Sequence, residues 1–314
     1  MEPNKETVTA TVETPVEKTP LEKLNDKRKA YCKADLIYKA SCIASVLLCI
    51  GYIVLLFTGF LKGENVPRII IGVVLLVIVL ACLYILPLIL KRSSKYKTYS
   101  LEYKTAFLKP VFEGEFPNAV YKEADKISIK EISECSMLKK SRSATANDCI
   151  EGRYKGVDFL RYDVELSAGK KSSKSDCVVI TCGNKTIIKG ELQIVDDKFT
   201  VGRTAYEKPE DLFPYITGEE SFDKHYKMYV ESREEADKVL SKDFQKSLRK
   251  FSAGGPIAIF FDKQQVYLVI RRRKDSLEAP VYKAVKESTC RKEAGKEAQV
   301  IRDWLELLDQ NALK

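Results

Sequence analysis

Residues 40–61 read ASCIASVLLCIGYIVLLFTGFL, and residues 69–90 read IIIGVVLLVIVLACLYILPLIL. Neither stretch contains Asp, Glu, Lys or Arg, and each is 22 residues long. As a helix, 22 residues rise about 33 Å, enough to cross a hydrocarbon core of about 30 Å. One such run would suit a buried helix of a large soluble protein. Two runs, seven residues apart and both flanked by Lys or Arg, read instead as a transmembrane hairpin. A cleaved signal peptide does not fit, because the first run begins near residue 40 and a second follows at once.

The flanks set the orientation. Lys27, Arg28, Lys29, Lys33 and Lys39 precede the first run, and Lys91, Arg92, Lys95, Lys97 and Lys104 follow the second. The loop between them, residues 62–68, holds only Lys62 and Arg68. Basic flanks stay cytosolic, so both termini are expected inside, in a multi-pass arrangement. The nine cysteines (32, 42, 49, 82, 135, 149, 177, 182 and 290) include no C-x-x-C pair. Cys177 and Cys182 sit an odd number of residues apart in one expected strand, hence on opposite faces. Free thiols in a reducing compartment are the simplest reading.

Outward from the hairpin, the chain divides as follows. Residues 1–20, rich in Thr, Glu and Pro, are expected to be a disordered tail. Residues 21–39 form a basic juxtamembrane helix, 40–61 and 69–90 the spans, 62–68 an external loop, 91–112 a stalk helix stopped by Pro110, and 113–314 a cytosolic domain. Within that domain Ser128-x-x-Glu131 opens a short helix through Leu138. Gly152 and Gly156 bracket a turn, followed by a strand through Val157, Phe159, Arg161 and Val164. Cys177–Thr181 and Thr186–Val195 read as a hairpin about Gly183-Asn184. One helix is expected from Ser232 to Phe251, then a hairpin of Ile257–Phe261 and Val266–Ile270, then a helix from Arg291 to Asp309. Ala294, Ala298, Ile301, Leu305 and Leu308 form the apolar face of that last helix, beside Trp304. The fold class is α+β, with mainly antiparallel strands and flanking helices.

Chemistry-bearing motifs are sparse. His225 is the only histidine, which removes a two-histidine zinc site, and alternation places it exposed on an edge strand. No phosphate-binding glycine loop or calcium loop occurs, so no cofactor or metal is expected. The net charge is +9. Lys139, Lys140 and Arg142, and likewise Lys170, Lys171 and Lys174, read as solvated loops. Arg271, Arg272, Arg273 and Lys274 end a strand and are the membrane-surface candidates. Aromatic-interleaved basic motifs are missing, so nucleic acid is not an expected partner. In the first span Ser41, Ser45 and Cys49 make a small-residue stripe suited to helix packing, either within the hairpin or between copies as a homo-oligomer. Neither span carries Asp, Glu, Lys, Arg or His, which favours an anchor over a transport path.

Several landmarks recur in order: Phe116-Pro117-Asn118-Ala119-Val120-Tyr121; Asp148, Gly152, Phe159 and Asp163; Ile188-Lys189-Gly190 leading to Phe199 and Gly202-Arg203-Thr204; and Phe222, Tyr226 and Tyr229 before Glu235-Ala236 and Leu240. On these residues the chain resembles the bacterial membrane proteins grouped as domain-of-unknown-function family three-one-three-seven, over about Tyr96 to Val285. Lys139 stands where a Phe is expected, and Asp163 where a Glu is usual. The resemblance implies a bacterial inner (cytoplasmic) membrane location and an anchored cytosolic domain; it brings no catalytic residues. Three functions stay open, the weakest a small oligomeric channel built on the Ser41, Ser45 and Cys49 face. One is a non-enzymatic tethered module that binds membrane lipid headgroups or a protein partner at the inner membrane. The alternative is a membrane-surface metal-dependent hydrolase using Asp148, Glu151, Asp158 and Asp163.

Overall fold

Every residue of Ile257–Phe261 is buried, and so is each from Val266 to Ile270. A run that is apolar on both faces suits a central strand covered on both sides. The computed structural model describes residues 18–61, 88–122, 143–167, 175–183, 188, 190–201, 204–206, 209–262, 265–272 and 277–311. In it these runs are β10 (Ile257–Phe261) and β11 (Gln265–Arg272), paired antiparallel about Asp262 as the sequence indicates. Seven more strands join them: β1 (Val120–Lys122), β2 (Ser143–Tyr154), β3 (Val157–Ser167), β4 (Ser175–Gly183), β5 (Leu192–Asp196), β8 (Phe213–Tyr215) and β9 (Tyr226–Val230). Among the described residues they form a nine-stranded sheet of order β1-β2-β3-β4-β11-β10-β5-β9-β8. Every neighbouring pair is antiparallel. A separate ribbon pairs β6 (Thr200–Val201) with β7 (Thr204–Ala205).

The helices are α1 (Pro20–Leu61), α2 (88–103), a π-helical turn at Lys104–Leu108, α3 (Lys109–Glu115), α4 (Glu220–Asp223), α5 (Arg233–Val239), α6 (Lys242–Lys250) and α7 (Glu287–Asn311). The chain falls into two compact units: residues 1–99 with Val281–Val285, and Ser100–Pro280 with Lys286–Lys314. The second unit is the α+β domain, a large antiparallel sheet with flanking helices. Pleat alternation sorts its strands. Tyr162, Val164, Cys177, Val179, Ala258, Phe260, Tyr267 and Val269 cluster on one face with Phe199. The other face carries Phe159, Arg161 and Phe261 and receives Phe116 of the α3 end, Phe244 of α6 and Glu297 of α7. On α7, Ala294, Ala298, Ile301, Leu305, Leu308 and Trp304 are all buried, as their spacing indicates.

Four local expectations are revised. The strands at 175–183 and 192–196 are not a hairpin, because β11 and β10 lie between them in the sheet. A later hairpin inserts where the apolar match is best, which a local turn signal cannot foresee. Gly152 belongs to β2 rather than to a turn. The turn is Lys155-Gly156, both at positive φ, closing a two-residue hairpin between Tyr154 and Val157. The helix expected over 232–251 is two helices, broken where the Ser241 hydroxyl accepts the Phe244 N–H and caps α6. Pro110 does not end a helix. The π-turn before it, closed by Lys109 N–H on the Lys104 carbonyl, places Pro110 in the first turn of α3, where a missing N–H costs nothing. The short helix expected through Leu138 lies outside the described residues.

In the first unit, α1 opens with a capping box: Thr19 N–H donates to the Glu22 carboxylate at 2.8 Å, and Glu22 N–H to the Thr19 hydroxyl at 3.3 Å. Leu24, Tyr31 and Asp35 form its buried stripe. Arg28 and Cys32 donate to the Val281 carbonyl, and Asn25 exchanges hydrogen bonds with Val285. Tyr31 packs on Tyr96 at 5.0 Å. Asp35 accepts from Arg92 at 2.5 Å and Tyr282 at 3.0 Å and pairs with Lys39 at 2.7 Å. Further along α1, Ile43, Val46, Leu47, Ile50 and Val54 are each more than half exposed. No helix among the described residues is long and apolar enough to cross a membrane. The second apolar run and the loop before it lie outside them, apart from 88–90, as do the side chains of 55–61.

This packing makes two outcomes measurable. A Cβ on Gly255 would sit 2.1 Å from the Arg271 carbonyl oxygen. Backbone cannot swing away as a side-chain tip can, so Gly255→Ala should cost about 1–3 kcal/mol in thermal unfolding of the purified chain. Burial raises the Asp35 carboxyl, but hydrogen bonds from Lys39, Tyr282 and Arg92 outweigh it and hold it below the usual carboxylate range. A depressed folded value stabilises fully above the unfolded value and fades as pH falls through the folded one. Wild type should therefore lose more melting temperature than Asp35→Asn between about pH 5 and about pH 3.

Candidate functional site

The ladder between β2 and β3 slips at Asn147/Ile150, where β2 carries one extra residue. Asp148, at the bulge, takes φ +50, a conformation that Asp tolerates better than most side chains. Its carboxylate is fully buried and accepts from Lys104 at 2.8 Å and from the Tyr121 hydroxyl. Its carbonyl accepts from Arg161 at 3.3 Å. Arg161, also fully buried, forks onto Asp163 at 2.5 and 3.0 Å and lies 3.6 Å from Glu297. Glu297 in turn takes both oxygens to Arg272, at 2.9 and 3.0 Å. Burial opposes the Arg161 charge, but Asp163 and Glu297 more than offset it, leaving the guanidinium more basic than usual. Three cations thus face three carboxylates, drawn from β2, β3, β11, the π-turn and α7. All are nearly sealed from solvent, so this cluster joins elements rather than meeting a ligand.

That geometry divides the four acids of the hydrolase alternative. Asp148 and Asp163 are buried in the network. Glu151 and Asp158 are exposed and neutralised by Lys122 and Arg153. Glu151 and Asp158 do line one groove of about 510 Å³ across the ends of β2, β3 and β4, together with Asn118, Thr181 and Gln265. No group of three or more His, Cys, Asp or Glu placed to hold a metal occurs among the described residues. Cys182, also on that groove, is pushed up to about 12 by burial and is no nucleophile near neutral pH. His225 lies exposed in the turn after α4, its Nδ1 2.9 Å from the Ser221 carbonyl; the strand begins only at Tyr226, and β9 is not an edge.

The remaining residues singled out by sequence scatter once placed in the fold. Arg272 points inward to Glu297, and Arg271 donates to the Thr200 hydroxyl. Arg273 and Lys274 lie outside the described residues. Ser41 and Ser45 return their hydroxyls to the Ile37 and Ser41 carbonyls of α1 at 2.9 Å, and the Cys49 side chain is not described.

A second concavity, of about 520 Å³, runs along α6 and is lined by Glu219, Lys242, Gln245, Lys246, Arg249 and Lys250. Lys242, Lys246 and Lys250 recur every four residues, so they share a helix face. A single helix over 232–251 does not isolate this face, because the apolar stripe runs on through the break. The Ser241 cap is the signal that would have isolated the basic face.

Among known proteins, the family suggested by the sequence is the one found. A model of the family described as Protein of unknown function (DUF3137) matches residues 177–309. That segment carries the second half of the resemblance, from Ile188 to Leu240, and extends through β10, β11 and α7. No curated protein matches the chain. Of solved structures, the crystal structure of the mycobacterial trehalose monomycolate transport factor A is similar at 10% identity, with a TM-score of 0.41, over 65% of this chain and 93% of that one.

The network generates a sharp contrast in stability. Arg161→Met strands Asp163 in the interior and should cost about 3–5 kcal/mol in thermal denaturation followed by circular dichroism. Arg153→Met, at the exposed pair with Asp158, should leave the melting temperature unchanged within error.

Proposed function

We propose that the chain is a membrane-anchored protein whose α+β domain acts as a non-enzymatic binding module on the cytosolic side of a bacterial inner membrane. The anchor is the hairpin of residues 40–61 and 69–90. The observation that carries the reading is the row of apolar side chains on α1, Ile43, Val46, Leu47, Ile50 and Val54, with relative exposures of 53–62%. Leaving such side chains in water forgoes about 1.5–3 kcal/mol for each one that could be fully buried, and lipid supplies that burial. The charge-free stretches supply the length, and the basic flanks supply the side. Binding rather than catalysis is favoured because the buried acids are committed to arginine and lysine, and Glu151 and Asp158 are paired. Between lipid headgroups and a protein partner as ligand, the basic face of α6 favours the first.

Alkaline carbonate extraction of membranes containing the full chain tests the anchor. The chain should stay in the pellet, and a double Leu47→Lys/Val54→Lys variant should move in part to the supernatant. Wild type released at high pH without detergent would sink the reading. A reporter joined after Lys314 should be active only inside the cell.

A further inference from the structure

We propose that the groove along α6 binds a phosphodiester headgroup carrying a free hydroxyl, that of an anionic phospholipid. The inference deepens the anchored-module reading and rests on it, because a tether holds such headgroups at high local concentration.

Three observations converge on this site. The first is charge without neutralisation. Lys242, Lys246, Arg249 and Lys250 line the groove against one acid, Glu219. Some neighbouring lysines are paired, as Lys224 is with Glu220 and Lys238 with Glu235. Lys242, Lys246 and Lys250 have no such ion pair among the described residues, although Asp243 lies in the same helix's first turn. The second is positioning. The Arg249 guanidinium donates to the Ser221 hydroxyl at 2.6 Å, which donates to Glu219 at 2.9 Å, so both the arginine and the acid are held in place. Phe244 and Leu248 are fully buried, and Phe244 packs edge-on against Phe261 of β10, so the helix presenting the cations is fixed.

The third observation selects the ligand. Gln245 lines the same groove yet is only 7% exposed. Its Nε2 donates to the Leu240 carbonyl at 2.7 Å, which fixes the amide's orientation. Its Oε1 is buried without a hydrogen-bond partner. A carbonyl oxygen in that position asks for a donor, and an ionised phosphodiester has none. A hydroxyl beside the phosphate supplies it, while the phosphate oxygens meet the lysines and Arg249. Among the described residues no aromatic side chain lines the groove, so the base stacking that nucleic acid requires is missing.

The test uses the full chain in a non-ionic detergent, titrated with short-chain phosphatidylglycerol and read by thermophoresis. Phosphatidylmethanol of equal chain length keeps the charge and removes the hydroxyl; glycerol phosphate and inorganic phosphate remove the lipid. Phosphatidylglycerol should bind more tightly than all three. Lys246→Glu/Lys250→Glu, both at exposed positions, should weaken it by about tenfold or more with an unchanged melting temperature. Gln245→Met should erase the preference over phosphatidylmethanol. Undiminished binding by the charge variant, or equal affinity for phosphatidylmethanol, overturns the site. Equal affinity for a water-soluble phosphate overturns the lipid as its source. Loss of the anchor would show in the carbonate extraction instead, since this titration needs no membrane.

Discussion

A guanidinium removed from water must be surrounded by acceptors, and Arg161 is removed completely. Asp163 takes both of its terminal nitrogens, the Asp148 carbonyl takes one again, and Glu297 stands within ion-pair distance. Its Nε is left without a partner, and holding the other two nitrogens fixes much else in the domain. The bulge in β2 turns the Asp148 carboxylate toward Lys104 and Tyr121. The C-terminal helix must bring Glu297 down onto the sheet, where it also satisfies Arg272. A sheet strand, a π-turn and a helix far apart in sequence are thereby held to one another by charge as well as by apolar burial.

The apolar burial around this cluster is conventional in kind. β10 and β11 are hydrophobic on both faces because both faces are covered, and they sit at the middle of the sheet for that reason. Trp304, Phe244, Phe116 and Phe261 fill the space between sheet and helices with ring contacts in tilted or edge-on arrangements. The polar cluster gains its strength from these surroundings, since a low dielectric strengthens a satisfied ion pair and penalises an unsatisfied one.

Charge is used in two ways in this domain. In the interior, three cations and three acids cancel within reach of one another, which holds elements together. On α6 three lysines have no ion pair among the described residues, beside a buried glutamine oxygen without a hydrogen-bond partner. The contrast between balanced and unbalanced charge is what separates this scaffold from the binding surface proposed on α6. The acids that drew attention in the sequence are each paired with a cation.

The sequence by itself determined the α+β class, the β10–β11 hairpin and the buried face of α7, because each follows from periodicity within a short window. The family resemblance was legible too, from landmarks in fixed order. The sequence also showed the two charge-free runs on which the anchor proposal rests. Tertiary structure alone decided that β10 and β11 part β4 from β5, since strand neighbours are chosen by burial across the sheet and not by turn residues. It alone separated Asp148 and Asp163 from Glu151 and Asp158, which sit within sixteen residues of one another in sequence. A one-residue bulge sends a side chain to a different environment, and no pattern of residue types records where the extra residue will fall.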